Sequence, residues 1–309
     1  MIGLVYGGSG SGKSEFAENL AMEQRQDSLI YLATMAAFDS ESQGRILRHR
    51  RLRNGKGFQT EERYTRLEEW EIPPHATVLL ECLSNLAANE MFLPEGRPDR
   101  PLEAVLRDLA HLAEQADTLI VVSNDVFGDG IWYEGETDTY LHVMAEANAW
   151  LAKQADVVVE SVHGIPVWWK GQGNTVPKKE KSSMQLITGG AYQGKLAFAR
   201  TLIEKEEPVV WEGKNGEPEV WEQVDILEDF PAFVRYFLEK GSEVEPVLER
   251  MLRENPALVV VTREIGSGVV PMDAFDRRYR ELAGRLSCRL AKEAGAVYRV
   301  ACGLAQKIK

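Results

Sequence analysis

The sequence predicts an α/β fold in which a mainly parallel β-sheet flanked by helices is present twice in tandem. Short runs of Val, Ile and Leu alternate with amphipathic segments, as in βαβ units of parallel sheets. A glycine-rich loop lies between the first such strand and the first helix. Parts of the sequence also recur in the same order further along the chain.

The periodicity of the first half predicts its elements in order. Strands are expected at 2–6, 28–34, 77–82, 118–123 and 156–162. Helices are expected at 13–25, 39–53, 84–91, 101–116 and 137–154.

The internal repeat predicts two domains of unequal length. GLVYGGSGSGKSEFAENL matches QLITGGAYQGKLAFARTL with Gly7 opposite Gly189, an offset of 182. LIVVSNDVFGDGI matches LVVVTREIGSGVV, and QADVVVESVHGIPVWWKG matches EAGAVYRVACGLAQKIK, both at an offset of 139. The second copy is therefore 43 residues shorter, and the loss lies in its interior. The polar stretch at 171–183 is typical of a linker, so we expect domains at 1–172 and 184–309.

Composition excludes several classes of function. A net charge of −12 argues against nucleic-acid and anionic-membrane binding, because phosphate backbones require a broad basic face. Three cysteines without a CxxC pair argue against a disulfide scaffold or a zinc site. No apolar run approaches the ~18 residues of a membrane span, and no signal-peptide pattern opens the sequence. These features predict a soluble, cytoplasmic protein.

The first glycine-rich loop fits G-x-x-x-x-G-K-[ST], the pattern of a nucleotide-binding P-loop. It comprises Gly7, Gly8, Ser9, Gly10, Ser11, Gly12, Lys13 and Ser14. Glycines let successive backbone N–H groups face phosphate oxygens, the lysine reaches the β- and γ-phosphates, and the serine hydroxyl can ligate Mg²⁺. The second copy keeps Lys195 but has Leu196 in place of the hydroxyl, which predicts either a structural remnant or a residual anion or nucleotide site.

Two further features are candidates for chemistry. Glu81 ends an apolar strand, where an acid orients Mg²⁺ in P-loop folds; a solvated surface acid is the alternative. Residues 45–53 contain six basic side chains, which form either a solvated helix face or a triphosphate site. His49 lies among them, and neighbouring positive charge lowers an imidazole pKa, which keeps the nitrogen nucleophilic.

These motifs resemble the bifunctional adenosylcobinamide kinase / adenosylcobinamide-phosphate guanylyltransferase family. The resemblance rests on GGSGSGKSEFAE, YLATMAAFD, Arg45-Ile46 before His49, VLLECLSNLAANEMF, VVSNDVFGDG and GIPVWWK. It implies a P-loop, RecA-like fold and sites shared between subunits. It also implies phosphorylation of adenosylcobinamide by GTP or ATP, followed by transfer of GMP from GTP through a guanylylated histidine to give adenosylcobinamide-GDP.

The resemblance assigns roles to particular residues. Positions 7–14 would bind nucleotide phosphates, His49 would be the guanylylated nucleophile, and Ser14 and Glu81 would hold Mg²⁺. Other residues expected at the nucleotide are Ala33, Thr34, Met35 and Glu62. Arg50 and Arg51 are candidates for neutralising phosphate charge, on the basis of their charge more than of the match.

Departures from the family pattern leave alternatives open. Residues 131–150 replace an arginine-rich helix that the second copy keeps around Arg277, Arg278 and Arg280. These arginines complete the first copy's site if the halves pair as subunits do in the family, whether within one chain or in a homo-oligomer. Otherwise the second copy is a degenerate scaffold. Retention of only one activity, or a non-catalytic nucleotide-binding regulator, are the alternative functions.

Overall fold

The chain forms two mainly parallel β-sheets. The computed structural model describes residues 1–36, 40–129, 131, 133–171 and 183–309, without the side chains of residues 40–42, 45, 48, 49 and 52. Contacts divide it into two compact units, Met1–Gly7, Lys13–Glu160 and Trp168–Gly173 in the first, and Gly8–Gly12, Ser161–Val167 and Asn174–Lys309 in the second. The predicted linker falls mostly on residues 172–182, outside the described residues. The predicted domain boundaries stay a prediction.

The first sheet has seven strands in the order β3-β2-β4-β5-β1-β6-β7. The strands are β1 Ile2–Gly7, β2 Ser28–Ala33, β3 Gln59–Glu62, β4 Ala76–Glu81, β5 Thr118–Asn124, β6 Val157–Val162 and β7 Ile165–Lys170. The helices of this half are α1 Lys13–Glu23, α2 Ser40–Arg53, α3 Leu83–Phe92, α4 Pro101–Gln115 and α5 Glu136–Gln154.

Alternating side chains of the first sheet pack into two hydrophobic cores, one on each face of the sheet. On one face Leu80 and Val121 join a cluster with α3, α4 and α5. On the other face Leu79 and Val122 join a smaller cluster with α1. Because strands buried on both faces are apolar throughout, this arrangement explains the continuous Val/Ile/Leu runs in the sequence.

The second sheet has six strands in the order β13-β12-β8-β11-β10-β9. Its elements are β8 Gln185–Thr188, α6 Lys195–Thr201, β9 Val210–Glu212, β10 Ile226–Glu228, α7 Phe230–Glu239, α8 Glu245–Glu254, β11 Val259–Val261, α9 Ala274–Glu293, β12 Ala296–Ala301 and β13 Leu304–Lys307. Helices α7, α8 and α9 pack on one face, and α6 packs on the other.

The two sheets confirm the predicted tandem α/β fold. The order β11-β8-β12-β13 repeats β5-β1-β6-β7, and β10 and β9 take the places of β4 and β2. Among the described residues the second sheet has no strand equivalent to β3 and no helix equivalent to α2. The interior that the second copy lacks is therefore the region of α2 and β3.

The predicted elements of the first half all occur, with bounds within two residues of those expected. Strands β3 and β7 were not predicted from the sequence. No helix in the described part of the chain is long and apolar enough to cross a membrane.

Candidate nucleotide site

Two acidic side chains lie at the carboxyl edge of the first sheet. Ala33, the last residue of β2, is in register with Glu62 of β3 on one side and with Glu81 of β4 on the other. Ligands of open parallel sheets bind outside the carboxyl ends of the strands. The strand register therefore brings three of the predicted site residues to one end of the first unit.

Glu81 is bonded to the first turn of α1. Its Oε1 atom accepts a 2.9 Å hydrogen bond from Ser14 Oγ, whereas its buried Oε2 atom has no hydrogen-bond partner among the described residues. Burial raises the pKa of Glu81 to about 7, and the charge of Lys13 and the bond from Ser14 act in the opposite direction. An unpartnered carboxylate oxygen beside a serine hydroxyl provides hard oxygen ligands of the kind that Mg²⁺ prefers.

Thr34 ties the end of β2 to the end of β4. Its Oγ1 atom donates to the Cys82 carbonyl oxygen at 2.9 Å and accepts from the Cys82 amide at 2.8 Å. The Asn89 side chain donates to the Thr34 carbonyl oxygen at 2.8 Å. The Thr34 side chain is therefore engaged in holding the strand ends together, and Met35 follows it half-buried. The predicted contacts of Ala33, Thr34 and Met35 with a nucleotide stay predictions.

The basic helix α2 brings Arg50 to Glu62. The two side chains form an ion pair, and Tyr64 Oη donates to the other Glu62 oxygen at 3.3 Å. Burial and the Glu62 charge raise the pKa of Tyr64. Arg51 is exposed. His49 belongs to α2, but its side chain lies outside the described residues.

Arg53, the last residue of the basic run, was not singled out from the sequence. Only 7% of the residue is exposed, and its guanidinium carbon lies 3.3 Å from the centroid of the Tyr31 ring. It lines a cavity of about 710 Å³ at the end of α2. Its place four residues after His49, one helical turn, is the sequence signal that could have found it.

The glycine-rich segment Gly8–Gly12 belongs to the second unit, where its backbone is tightly held. The Ser9 amide donates to the Gly266 carbonyl at 2.9 Å, and the Ser11 carbonyl accepts from the Gly164 amide at 2.6 Å. Gly10 has φ +73°, and a Cβ atom there would lie 3.0 Å from the Glu281 carbonyl oxygen. The loop conformation therefore requires glycine at position 10.

The glycine-rich loop of the second copy lacks the hydroxyl but keeps the lysine. Lys195 Nζ donates to the carbonyl oxygen of Gly190 in its own loop, while Leu196 packs against the core beneath α6. Burial and the charge of Arg263 lower the pKa of Lys195. Glu228 ends β10 as Glu81 ends β4, a correspondence that the sequence analysis did not report. Both interpretations of this loop stay open.

The arginines at the start of α9 bond to the preceding loop. Arg277 donates to the carbonyls of Pro271 and Met272, and Arg280 donates to those of Ser267 and Val269. Within the second unit these side chains therefore brace the 267–272 segment. Their predicted part in completing the first copy's site stays a prediction.

Comparison with known proteins decides the family. A family model described as cobinamide kinase / cobinamide phosphate guanyltransferase matches residues 3–168 and 236–308. This chain belongs to that family. The match includes the first sheet and strands β11, β12 and β13 of the second, consistent with a tandem arrangement, and identifies the chain as a transferase with a P-loop fold.

Similar bacterial proteins align with little more than half of this chain. The bifunctional adenosylcobalamin biosynthesis protein CobU of Escherichia coli is 31% identical over 181 residues, 54% of this chain and 98% of the relative. CobP of Pseudomonas aeruginosa, described in the same words, is 31% identical over 176 residues, 56% of this chain and 99% of the relative. The relatives are thus matched over nearly their full length by little more than half of this chain.

Proposed function

We propose that this chain phosphorylates adenosylcobinamide with GTP or ATP and then transfers GMP from GTP to the product, giving adenosylcobinamide-GDP. The observation that carries the proposal is the Ser14–Glu81 pair with its unpartnered, buried Glu81 oxygen, in a chain of this family. The relatives' names state that each is bifunctional and acts in adenosylcobalamin biosynthesis. The Ser14–Glu81 pair and the similarity to these relatives both favour an active nucleotide site over a degenerate one.

The residues at the first turn of α1 fit a Mg²⁺-nucleotide. Ser14 and Glu81 would hold the ion, which neutralises phosphate charge when bound. The described residues contain no cluster of three or more His, Cys, Asp or Glu side chains suited to a metal, and Mg²⁺ of nucleotide sites commonly takes its other ligands from phosphates and water. Lys13, 7% exposed, would place a fixed positive charge beside the β- and γ-phosphates.

The kinase step requires mainly positioning and neutralisation of charge. The hydroxyl oxygen of the aminopropanol group attacks the γ-phosphorus, the bond from this phosphorus to the bridging oxygen breaks, and the hydroxyl proton leaves to a base or to water. Lys13 stabilises the negative charge that develops on the departing nucleoside diphosphate.

The guanylyl step would use His49 as a covalent catalyst. An imidazole nitrogen attacks the α-phosphorus of GTP, and pyrophosphate leaves. An oxygen of the corrinoid phosphate then attacks the same phosphorus, the P–N bond breaks, and the imidazole is regenerated. Two easier displacements thereby replace one difficult displacement.

Intact-mass spectrometry after incubation with GTP and Mg²⁺ tests the covalent step. We expect an acid-labile adduct of the mass of GMP on the wild-type chain and on His142→Ala, a control at an exposed histidine of α5, and none on His49→Ala. His49→Ala should retain much of the kinase activity, measured as phosphate transfer to adenosylcobinamide. Absence of an adduct on the wild type, with GTP still bound, would favour a kinase alone or a nucleotide-binding module.

Lys13→Ala tests the shared nucleotide site. Because both steps use a nucleoside triphosphate, we expect both to weaken together with nucleotide affinity. Unchanged affinity and turnover in this variant would exclude the assignment of the P-loop.

A further inference from the structure

We propose that the cavity at the end of α2 is a phosphate-binding subsite, in which the guanidinium of Arg53 donates hydrogen bonds to phosphoryl oxygens. The ligand is a phosphate group of the nucleotide or of the phosphorylated corrinoid. The inference deepens the proposed function and rests on it for the identity of the ligand, but not for the chemistry of the site.

The cavity has the size of a small-molecule site. Its volume is about 710 Å³, within the range of roughly 300–1,000 Å³ common for ligand pockets. It is lined by Arg50, Arg53, Asn54, Gly55, Gly57, Phe58, Thr60 and Glu62. It lies within the first unit, between the last turn of α2 and strand β3.

Arg53 is a buried cation with an unused donor. It is 7% exposed, and its Nη1 atom is buried without a hydrogen-bond partner among the described residues. Guanidinium groups do not lose their proton in proteins, and a buried charged donor without a partner is costly. An oxyanion bound against the guanidinium would compensate this buried charge.

Stacking on the Tyr31 ring engages one face of the Arg53 guanidinium. Arg53 lies over the Tyr31 ring at 3.3 Å, a contact that uses the face of the guanidinium. The N–H groups lie in the plane of the guanidinium and form a rigid fork that matches phosphate oxygens. The ring therefore fixes the orientation of the group before any ligand binds.

The surrounding charges favour an anion at Arg53. The carboxylate that lines the cavity, Glu62, is already paired with Arg50. Thr60, a residue with a hydroxyl group, also lines the cavity. Arg53 packs on Tyr31, whose side chain belongs to the same core cluster as Ala17 and Leu20 of α1. The cavity thus lies on the face of the sheet that α1 covers, and Ser14 is in the first turn of that helix.

The position of Arg53 in α2 links the cavity to the proposed nucleophile. Positions 49 and 53 are four residues apart in one helix and share a face. A phosphorus atom attacked by the residue at position 49 would therefore lie near the end of α2 that carries Arg53.

Calorimetric binding to the full-length chain tests the proposal, with pyrophosphate, GTP and adenosylcobinamide phosphate as probes. Arg53→Met should weaken pyrophosphate binding by about tenfold or more. Arg53→Lys should fall between this variant and the wild type, because it keeps the charge and loses the fork. Thr60→Val should weaken binding a few-fold. Arg107→Met, at an exposed position of α4, should bind as the wild type does.

The three probes separate the sources of the phosphate. Weaker GTP binding by Arg53→Met assigns the subsite to the nucleotide, and a loss confined to adenosylcobinamide phosphate assigns it to the corrinoid. Unchanged affinity for all three probes in a folded Arg53→Met would overturn the proposal. If that variant does not fold, wild-type affinities in both Arg53→Lys and Thr60→Val would overturn it.

The result is distinguishable from failure of the proposed function. Pyrophosphate binding that depends on Arg53, in a wild-type chain that forms no GMP adduct, would support the subsite and contradict the guanylyl step. An adduct together with binding independent of Arg53 would do the reverse.

Discussion

Arg97 bonds to two fully buried acidic side chains of the first unit, Glu90 of α3 and Asp108 of α4. Its Nη2 atom donates to Glu90 at 2.8 Å and to Asp108 at 2.9 Å, and its Nε atom donates to the second Glu90 oxygen at 2.9 Å. Neither carboxylate side chain is exposed, whereas Glu68, a third partner, is partly exposed. Replacing Arg97 by methionine keeps much of the aliphatic volume and removes the charge and every donor.

The Arg97→Met substitution leaves two buried acidic side chains without their cation, and this determines the expected loss in free energy of unfolding. Removing one member of a buried ion pair costs about 3–5 kcal/mol, because the remaining charge is uncompensated. Domains are stable by only ~5–15 kcal/mol, so this variant should lose a large part of the stability of the first unit. The exposed pair Arg100–Glu103, at 3.4 Å, provides the matched control. Arg100→Met should change the free energy of unfolding by less than about 0.5 kcal/mol.

The same variant should show a characteristic dependence on pH. Burial raises the pKa of Asp108, a hydrogen bond with Glu68 adds to the effect, and the charge of Arg97 acts in the opposite direction. Without Arg97 the folded-state pKa of Asp108 rises further above the unfolded value. A carboxyl group whose folded-state pKa is raised makes the folded protein less stable as pH rises. The stability deficit of Arg97→Met should therefore be larger at pH 8 than at pH 5.

Urea unfolding followed by circular dichroism at both pH values measures this deficit. Asp108→Asn in the Arg97→Met background should reduce the difference in deficit between pH 5 and pH 8, since no carboxyl then titrates at position 108. An Arg97→Met chain within about 1 kcal/mol of the wild type at both pH values, or a smaller deficit at pH 8, would refute the reasoning.

Three other predictions concern single side chains. Ser14→Ala removes the hydroxyl bonded to Glu81 and should weaken GTP binding roughly tenfold with Mg²⁺ but little with EDTA; equal losses in equilibrium dialysis would contradict this. Thr34→Val leaves the buried Cys82 amide without its hydrogen-bond acceptor and should lower the free energy of unfolding by about 1–3 kcal/mol, measured by urea melts. An unchanged free energy of unfolding would contradict a stabilising role for the Thr34–Cys82 hydrogen bonds. Burial lowers the pKa of His163 from 6.5 to about 4. The free energy of unfolding should therefore be about 2 kcal/mol lower at pH 5 than above pH 6.5, because the unfolded chain binds a proton at this histidine that the folded chain does not. His163→Asn, which suits the φ of 50° there, should lack this loss.

The sequence predicted the buried elements and missed those without an apolar pattern. Strand β4 and helix α1 were found because strand and helix periodicities are distinct. Strand β3 reads QTEE and is largely exposed, so its place at the sheet edge depends on backbone pairing with β2. No pattern of side chains indicates such pairing.

The site was predicted in part for a similar reason. The pairing of Ser14 with Glu81 follows from a motif and a strand end, both of which are local in sequence. Which arginine of the basic run is buried depends on the phase of α2 and on the Tyr31 ring, which lies far away in the sequence. Charge alone therefore selected Arg50 and Arg51, whereas contact with the core distinguishes Arg53.

The location of β3 at the edge of the first sheet bears on how such a chain can diverge after duplication. An edge strand shares hydrogen bonds with one neighbour, so its loss breaks no pairing among the remaining strands. The second sheet retains the order of its other strands without an equivalent of β3. A segment of this kind can therefore be lost by deletion while the remaining strands keep their order and their pairing.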